Sequence, residues 1–250
     1  GKNFNFLMTF LLSEYITAGL IFFGAILYSS VGHGGASSYI AIMAIMGTPI
    51  ASIKPIGLVL NIIVSSIASY RFIKNKLFNL KVFIPVAIGS IPAAFLGGYL
   101  YLPADIYRSL VGVILIFAGF QFLFNIFKFF KKKNVQPVNF LLGIFAGVII
   151  GFLSGLTGTG GGIFLSPLIV FLGWTSVKGA SGTAAAFILF NSISGLLGDI
   201  ASVSLIPNTI FLYAFAVLGG VLIGTQLGIK VLNENYMKKA LGIVLVVAGF

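Results

Sequence analysis

The chain has 250 residues, of which 59% are hydrophobic and 8% charged. Soluble globular domains carry about 25% charged residues, so this chain cannot cover a water-facing surface, and it reads as an all-α polytopic membrane protein. The formal net charge of +11 belongs to lysines between apolar runs and implies no nucleic acid, the lack of cysteine excludes disulfides and iron–sulfur clusters, and one histidine with four acids implies no protein-ligated metal and no metal cofactor.

Ten apolar segments follow in order, at about 11–31, 36–46, 55–72, 80–100, 106–127, 138–156, 162–173, 179–198, 207–228 and 236–250. The first leads straight into further segments, so no separate signal peptide is expected. The second and seventh have about half the length of roughly 20 residues that a spanning helix needs. Each follows a polar glycine break, and each is expected to be a half-helix, a re-entrant segment or a short tilted span. The first break is Ser29-Ser-Val-Gly-His-Gly-Gly-Ala-Ser-Ser38 and the second is Gly155-Leu-Thr-Gly-Thr-Gly-Gly-Gly162.

The breaks are copies of one another. At an offset of 126 residues Gly32 falls on Gly158, Gly34 on Gly160, Gly35 on Gly161 and Gly47 on Gly173. At an offset of 130 residues Gly89 meets Gly219, Gly98 meets Gly228, and the stretch 111–120 matches 241–250. The expected architecture is two repeats of about five segments, 11–128 and 138–250, within one membrane domain and joined by a basic linker at 129–137. An odd number of crossings per repeat gives inverted topology. Lysines and arginines cluster after segment three (Arg71, Lys74, Lys76, Lys81), after segment five (Lys128, Lys131, Lys132, Lys133) and after segment nine (Lys230, Lys238, Lys239). All three places fall on one side, which the positive-inside rule makes cytoplasmic, with both termini outside. The aromatic run from Phe117 and the sole tryptophan, Trp174, read as interfacial residues.

Consecutive glycines free backbone N–H groups, and a helix starting there adds the positive end of its dipole, a combination suited to anions. The dipole contributes about 0.3–2 kcal/mol, so several charge-assisted hydrogen bonds of about 1.5–3 kcal/mol each must converge to replace the water of an oxyanion. The candidate binding groups are the backbones of Gly34, Gly35, Gly160, Gly161 and Gly162, the hydroxyls of Ser37, Ser38, Thr157, Thr159 and Ser166, and His33 inside the first break. The alternative role of the glycines is close helix packing. Asn61, Thr183 and Asn191, with Ser65, Ser66, Ser192 and Ser194, either line a pathway or join helices by hydrogen bonds. Lys54 and Lys178 each follow a short segment and either draw anions to opposite faces or snorkel to the interface. Asp199 and Glu14, near span ends, are expected to be solvated, and Asp199 is the first acid to test for cation coupling. No Gly-x-Ser-x-Gly elbow and no phosphate-loop Gly-Lys-Ser/Thr follows the glycines, which speaks against an enzyme.

Ser30-Val-Gly-His-Gly-Gly35, with Gly155-Leu-Thr-Gly-Thr-Gly-Gly-Gly-Ile-Phe-Leu-Ser-Pro167 and Ser181-Gly-Thr-Ala-Ala184, resembles the TauE/SafE family of sulfite and organosulfonate exporters over nearly the whole chain. The resemblance implies the substrate class, small sulfur-containing anions moved across a prokaryotic inner membrane; with the inverted repeats this gives an expectation of secondary transport by alternating access, without a prosthetic group and with a proton or sodium ion as candidate coupling ion. The family often carries Thr-Asn in segment three where this chain has Gly57-Leu58, and Asn61 is the nearest asparagine. The competing readings are a non-transporting membrane scaffold or biogenesis factor, and a small-solute channel.

Overall fold

The computed structural model describes residues 2–123 and 135–230. The tenth segment at 236–250, the linker lysines Lys128, Lys131, Lys132 and Lys133, Lys238 and Lys239, and the second copy of the 111–120 match lie outside the described residues. The described residues form helices and no strands. The helices are α1 (Lys2–Ser30), α2 (Ala36–Ile45), α3 (Ile50–Lys74), α4 (Leu80–Tyr99), α5 (Ala104–Leu123), α6 (Phe140–Thr157), α7 (Gly162–Phe171), α8 (Val177–Gly198) and α9 (Ile210–Lys230), with a 3₁₀ turn at Ile200–Leu205. Six of them, α1, α3, α4, α6, α8 and α9, are long and apolar enough to cross a bilayer. Large apolar side chains such as Phe145, Phe211 and Phe215 are exposed on them, as expected where the solvent is lipid.

The segments predicted to be short are helices of 10 residues each, α2 and α7, about 15 Å long against a hydrocarbon core of about 30 Å. Helix α2 folds back antiparallel to α3. The N–H at its start, on Ala36, donates to Asn61 Oδ1 at 3.0 Å, whereas Ile40, farther along, sits against Gly57. The α2 segment is therefore a half-length helix that runs back from the middle of α3 to its start.

Helix α4 lies along α6 and α1 lies along α9, while α3 lies against α8. In the two-repeat alignment expected from the sequence, α4 corresponds to α9 and α1 to α6. The α4/α6 and α1/α9 pairs are parallel. Gly89 faces the backbone at Ile144 and Val148 while Gly97 faces Phe152 and Leu156, and Gly220 faces Phe22 and Ile26 while Gly228 faces Ser30. Helices α3 and α8 are antiparallel. Gly182, near the start of α8, meets Phe72 near the end of α3 and Leu77 just beyond it, and Lys54, near the start of α3, meets Asp199 at the end of α8.

Glycine makes the parallel pairs possible. On α6 the glycines at 143, 147, 151 and 155 recur every fourth residue, and a Cβ on any of the last three would overlap backbone atoms of α4. Backbones brought this close maximise dispersion where lipid removes the usual hydrophobic drive between helices.

Trp174 is 3% exposed and packs in a core cluster with Val82, Ile169 and Phe187 rather than showing its ring on the outer surface. The turn after α7 folds inward, and its Trp174 carbonyl accepts from the Asn79 side chain.

Candidate functional site

The two glycine breaks meet at the centre of the bundle. His33 of the first break reaches the second, its Nε2 lying 3.2 Å from the Gly162 carbonyl oxygen. Gly34 and Gly160, matched in the sequence, face the same two side chains: a Cβ on either would overlap the Asn61 amide and crowd Ile188 Cγ2, at 2.8 and 2.9 Å. Asn61 therefore stands between the breaks, with its Oδ1 side toward Gly34 and its Nδ2 side toward Gly160. Its Oδ1 is occupied by the Ala36 N–H, and Nδ2 has no hydrogen-bond partner among the described residues. Burying an amide without a partner costs about 1–3 kcal/mol, so this N–H₂ group is a donor held ready at the junction.

Both short helices start at this junction on a left-handed glycine, Gly35 with φ 97° and Gly161 with φ 75°, and neither has a side-chain cap. That backbone region admits non-glycine residues only under strain. The repeat thus preserves a conformation and not only a residue type, since Gly32 and Gly158, and Gly47 and Gly173, also share positive φ. Each break is seated on the start of the third helix of the other half. Gly32 packs on the Ser181 backbone and Gly158 on Lys54, with a Cβ there 3.1 Å from the Lys54 carbonyl oxygen.

Around the junction Ser37, Ser38, Thr157, Thr159 and Ser166 are all buried. Ser38 Oγ donates to the Gly35 carbonyl at 2.8 Å, Thr157 Oγ1 donates to the Leu153 carbonyl at 2.7 Å and lies 3.0 Å from Thr159 Oγ1. The hydroxyls of Ser37 and Ser166 have no partner among the described residues. Ser37 occupies the first turn of α2 and Ser166 the second turn of α7, close to the helix N-termini that suit an anion.

Other sequence candidates lie elsewhere. Thr183 is near the start of α8, where its hydroxyl donates to Gly179 and accepts from the Asn79 N–H. Asn191 donates back to Phe187 at 2.8 Å along its own helix, leaving Oδ1 without a partner among the described residues. Lys178 is exposed and, because α3 and α8 are antiparallel, sits at the opposite end of that pair from Lys54. The two acids expected to be solvated are engaged. Glu14 accepts from the Tyr213 hydroxyl, and Asp199 lies 3.8 Å from Lys54 Nζ. Sequence reasoning missed Ile188 and Tyr107, whose hydroxyl donates to the Thr157 carbonyl at 2.9 Å; apolar and aromatic residues in an apolar span carry no signal that marks them out.

Comparison with known proteins agrees over most of the chain. A family model described as sulfite exporter TauE/SafE matches residues 17–250. The chain is 35% identical over 242 residues to the probable membrane transporter protein y4hK of Sinorhizobium fredii strain NGR234, covering 95% of this chain and 97% of that one. It is 29% identical over 226 residues to the probable membrane transporter protein YjnA of Bacillus subtilis strain 168, covering 83% and 87% of the two chains. No solved structure matches it.

Proposed function

The chain belongs to the sulfite exporter TauE/SafE family, and from that premise we propose that it carries small sulfur-containing oxyanions, such as sulfite and organosulfonates, through a site between its two glycine breaks. It is a multi-pass membrane protein with relatives named as membrane transporters. The observation that carries the reading is the convergence of two uncapped half-helices, one from each half, on the amide of Asn61. An oxyanion with three or more acceptor oxygens needs donors from several directions. The Asn61 N–H₂, the Ser37 and Ser166 hydroxyls, the His33 ring and the first-turn N–H groups supply that kind of set without a metal or a prosthetic group. No step of covalent chemistry is required, and the protein acts as a carrier rather than an enzyme.

The junction is closed in this structure, since Gly34 and Gly160 pack on Asn61 and Ile188. Transport then requires the breaks to part in turn toward each face. Two halves of opposed orientation rocking about the antiparallel α3/α8 contact provide alternating access. With the basic end of α3 (Arg71, Lys74) cytoplasmic, the end bearing Lys54 and Asp199 faces outward, across the plasma membrane of a prokaryote. A proton or sodium ion is the fitting coupling ion for an anion carrier.

The test is a thermal-shift screen on purified protein with sulfite, thiosulfate, methanesulfonate, sulfate and acetate, followed by uptake into proteoliposomes. Stabilisation and saturable uptake of the sulfur oxyanions, with acetate inert, is the expected result. No shift and no uptake with any of them contradicts the proposal.

A further inference from the structure

At the end of the bundle where α3 begins and α8 finishes, a cavity of about 200 Å³ is lined by Lys54, Tyr107, Leu156, Asp199 and Ser202. Its inner wall leads to the second glycine break. Leu156 directly precedes Thr157, the Tyr107 hydroxyl holds the Thr157 carbonyl, and the Lys54 stem packs on Gly158, with a Cβ there 3.2 Å from Lys54 Cγ.

The charges in this cavity are arranged for exchange rather than for a locked bond. Lys54 Nζ donates to the Gly98 carbonyl at 2.8 Å and lies 3.4 Å from that of Leu100. Those two carbonyls fix the ammonium at the end of α4. An ammonium has three N–H donors, which leaves one for the cavity. Asp199 faces it at 3.8 Å, too long for a hydrogen bond, and both side chains are almost buried, at 11% and 12% exposure. Asp199 Oδ1 accepts from Ser202 at 2.7 Å, while Oδ2, the oxygen nearest Lys54, makes no hydrogen bond among the described residues. Asp199 also caps the C-terminus of α8, where the helix dipole is negative and disfavours a carboxylate. The acid therefore offers Lys54 a charge without a well-made bond, in a place an incoming anion with several oxygens fills better.

We infer that this cavity is a second anion site, in which a small oxyanion takes Lys54 Nζ from Asp199 before passing to the junction of the glycine breaks. The inference deepens the proposed function and rests on it. The site is one-sided: Lys54 aligns with Ala180 in the repeat, and the lysine at the other end of α3/α8, Lys178, is exposed. Asp199 is the built-in competitor of the substrate, and removing it strengthens anion capture, whereas removing Lys54 abolishes it.

The experiment measures initial rates of sulfite and methanesulfonate uptake into proteoliposomes for the wild type, Lys54→Gln, Asp199→Asn and the double variant. Lys54→Gln is expected to raise KM about tenfold or more, the loss of one charge-assisted bond. Asp199→Asn is expected to lower KM, and the double variant to behave like Lys54→Gln. A pair that merely fastens α3 to α8 predicts instead that both single variants lose activity together and that the double variant recovers. That result overturns the inference, as does an unchanged KM in Lys54→Gln. Should Lys54→Gln fail to fold, the direction of the KM change in Asp199→Asn decides by itself, and a rise or no change overturns the inference. Absence of anion uptake by the wild type contradicts the proposed function as well, so the two failures are distinguishable.

Discussion

Gly34→Ala and Asn61→Ala, alone and together, probe whether the first break is seated on the Asn61 amide. The φ of Gly34 is not positive, so alanine there brings no left-handed strain, and its cost is steric. Its methyl would overlap Asn61 Oδ1 and lie 2.8 Å from Ile188 Cγ2. Overpacking of this kind costs about 1–3 kcal/mol. Asn61→Ala strands the Ala36 N–H that donates to Oδ1 at 3.0 Å, for about 1–3 kcal/mol. The double variant removes the amide that the new methyl would strike. Its destabilisation is expected to fall short of the sum by about 1 kcal/mol or more, well outside the 0.3–0.5 kcal/mol scatter of independent sites. Thermal unfolding of the four proteins in one detergent measures the cycle. Additive effects, or a Gly34→Ala protein as stable as the wild type, would refute the seating of the break on Asn61.

Gly47→Ala and Gly160→Ala share a left-handed backbone, with φ of +79° at both positions, but nothing lies within 4 Å of a Cβ at Gly47 while one at Gly160 meets Asn61 and Ile188. The first should cost only the backbone term of about 1–2 kcal/mol and leave anion binding intact; the second should be less stable and lose binding in the thermal-shift screen. On the helix pairs, Gly147→Ala should be poorly folded by size-exclusion profile, because its methyl would overlap the Val86 carbonyl, whereas Gly19→Ala, with open space around it, should behave as wild type. Both nitrogens of His33 face carbonyl oxygens, of Val31 at 3.1 Å and Gly162 at 3.2 Å. Carbonyls only accept, so the ring donates to at least one of them. His33→Ala, which removes the ring that joins the first break to the Gly162 carbonyl, should therefore lower the melting temperature and weaken methanesulfonate binding. Unchanged binding would remove His33 from the site.

The parts of the fold written in local composition were legible in the sequence. Half-length apolar runs after glycine breaks became α2 and α7, and the matches of Gly32, Gly35 and Gly47 with Gly158, Gly161 and Gly173 carried shared left-handed backbone with them. What was not legible depends on which helices touch. Nothing near Asn61 in the chain indicates that its amide separates Gly34 from Gly160, and nothing near Asp199 points to Lys54, 145 residues earlier. Glu14 and Asp199 were expected in water because an acid near a span end usually is, but Tyr213 and Lys54 reach them from other helices. One signal was present and unread: the four-residue glycine period on α6 marks a helix in close backbone contact, and it would have foretold the α4/α6 pair.

The central claim is that an oxyanion is held between the two breaks. It is tested most directly by equilibrium binding of radiolabelled sulfite to purified wild-type protein and to Gly160→Ala protein shown to be folded by its melting curve. Saturable binding at one or two sites in the wild type, displaced by thiosulfate or methanesulfonate but not by acetate and sharply weakened by Gly160→Ala, is the predicted result. Equal binding by the two proteins, or none by the wild type, would contradict the claim.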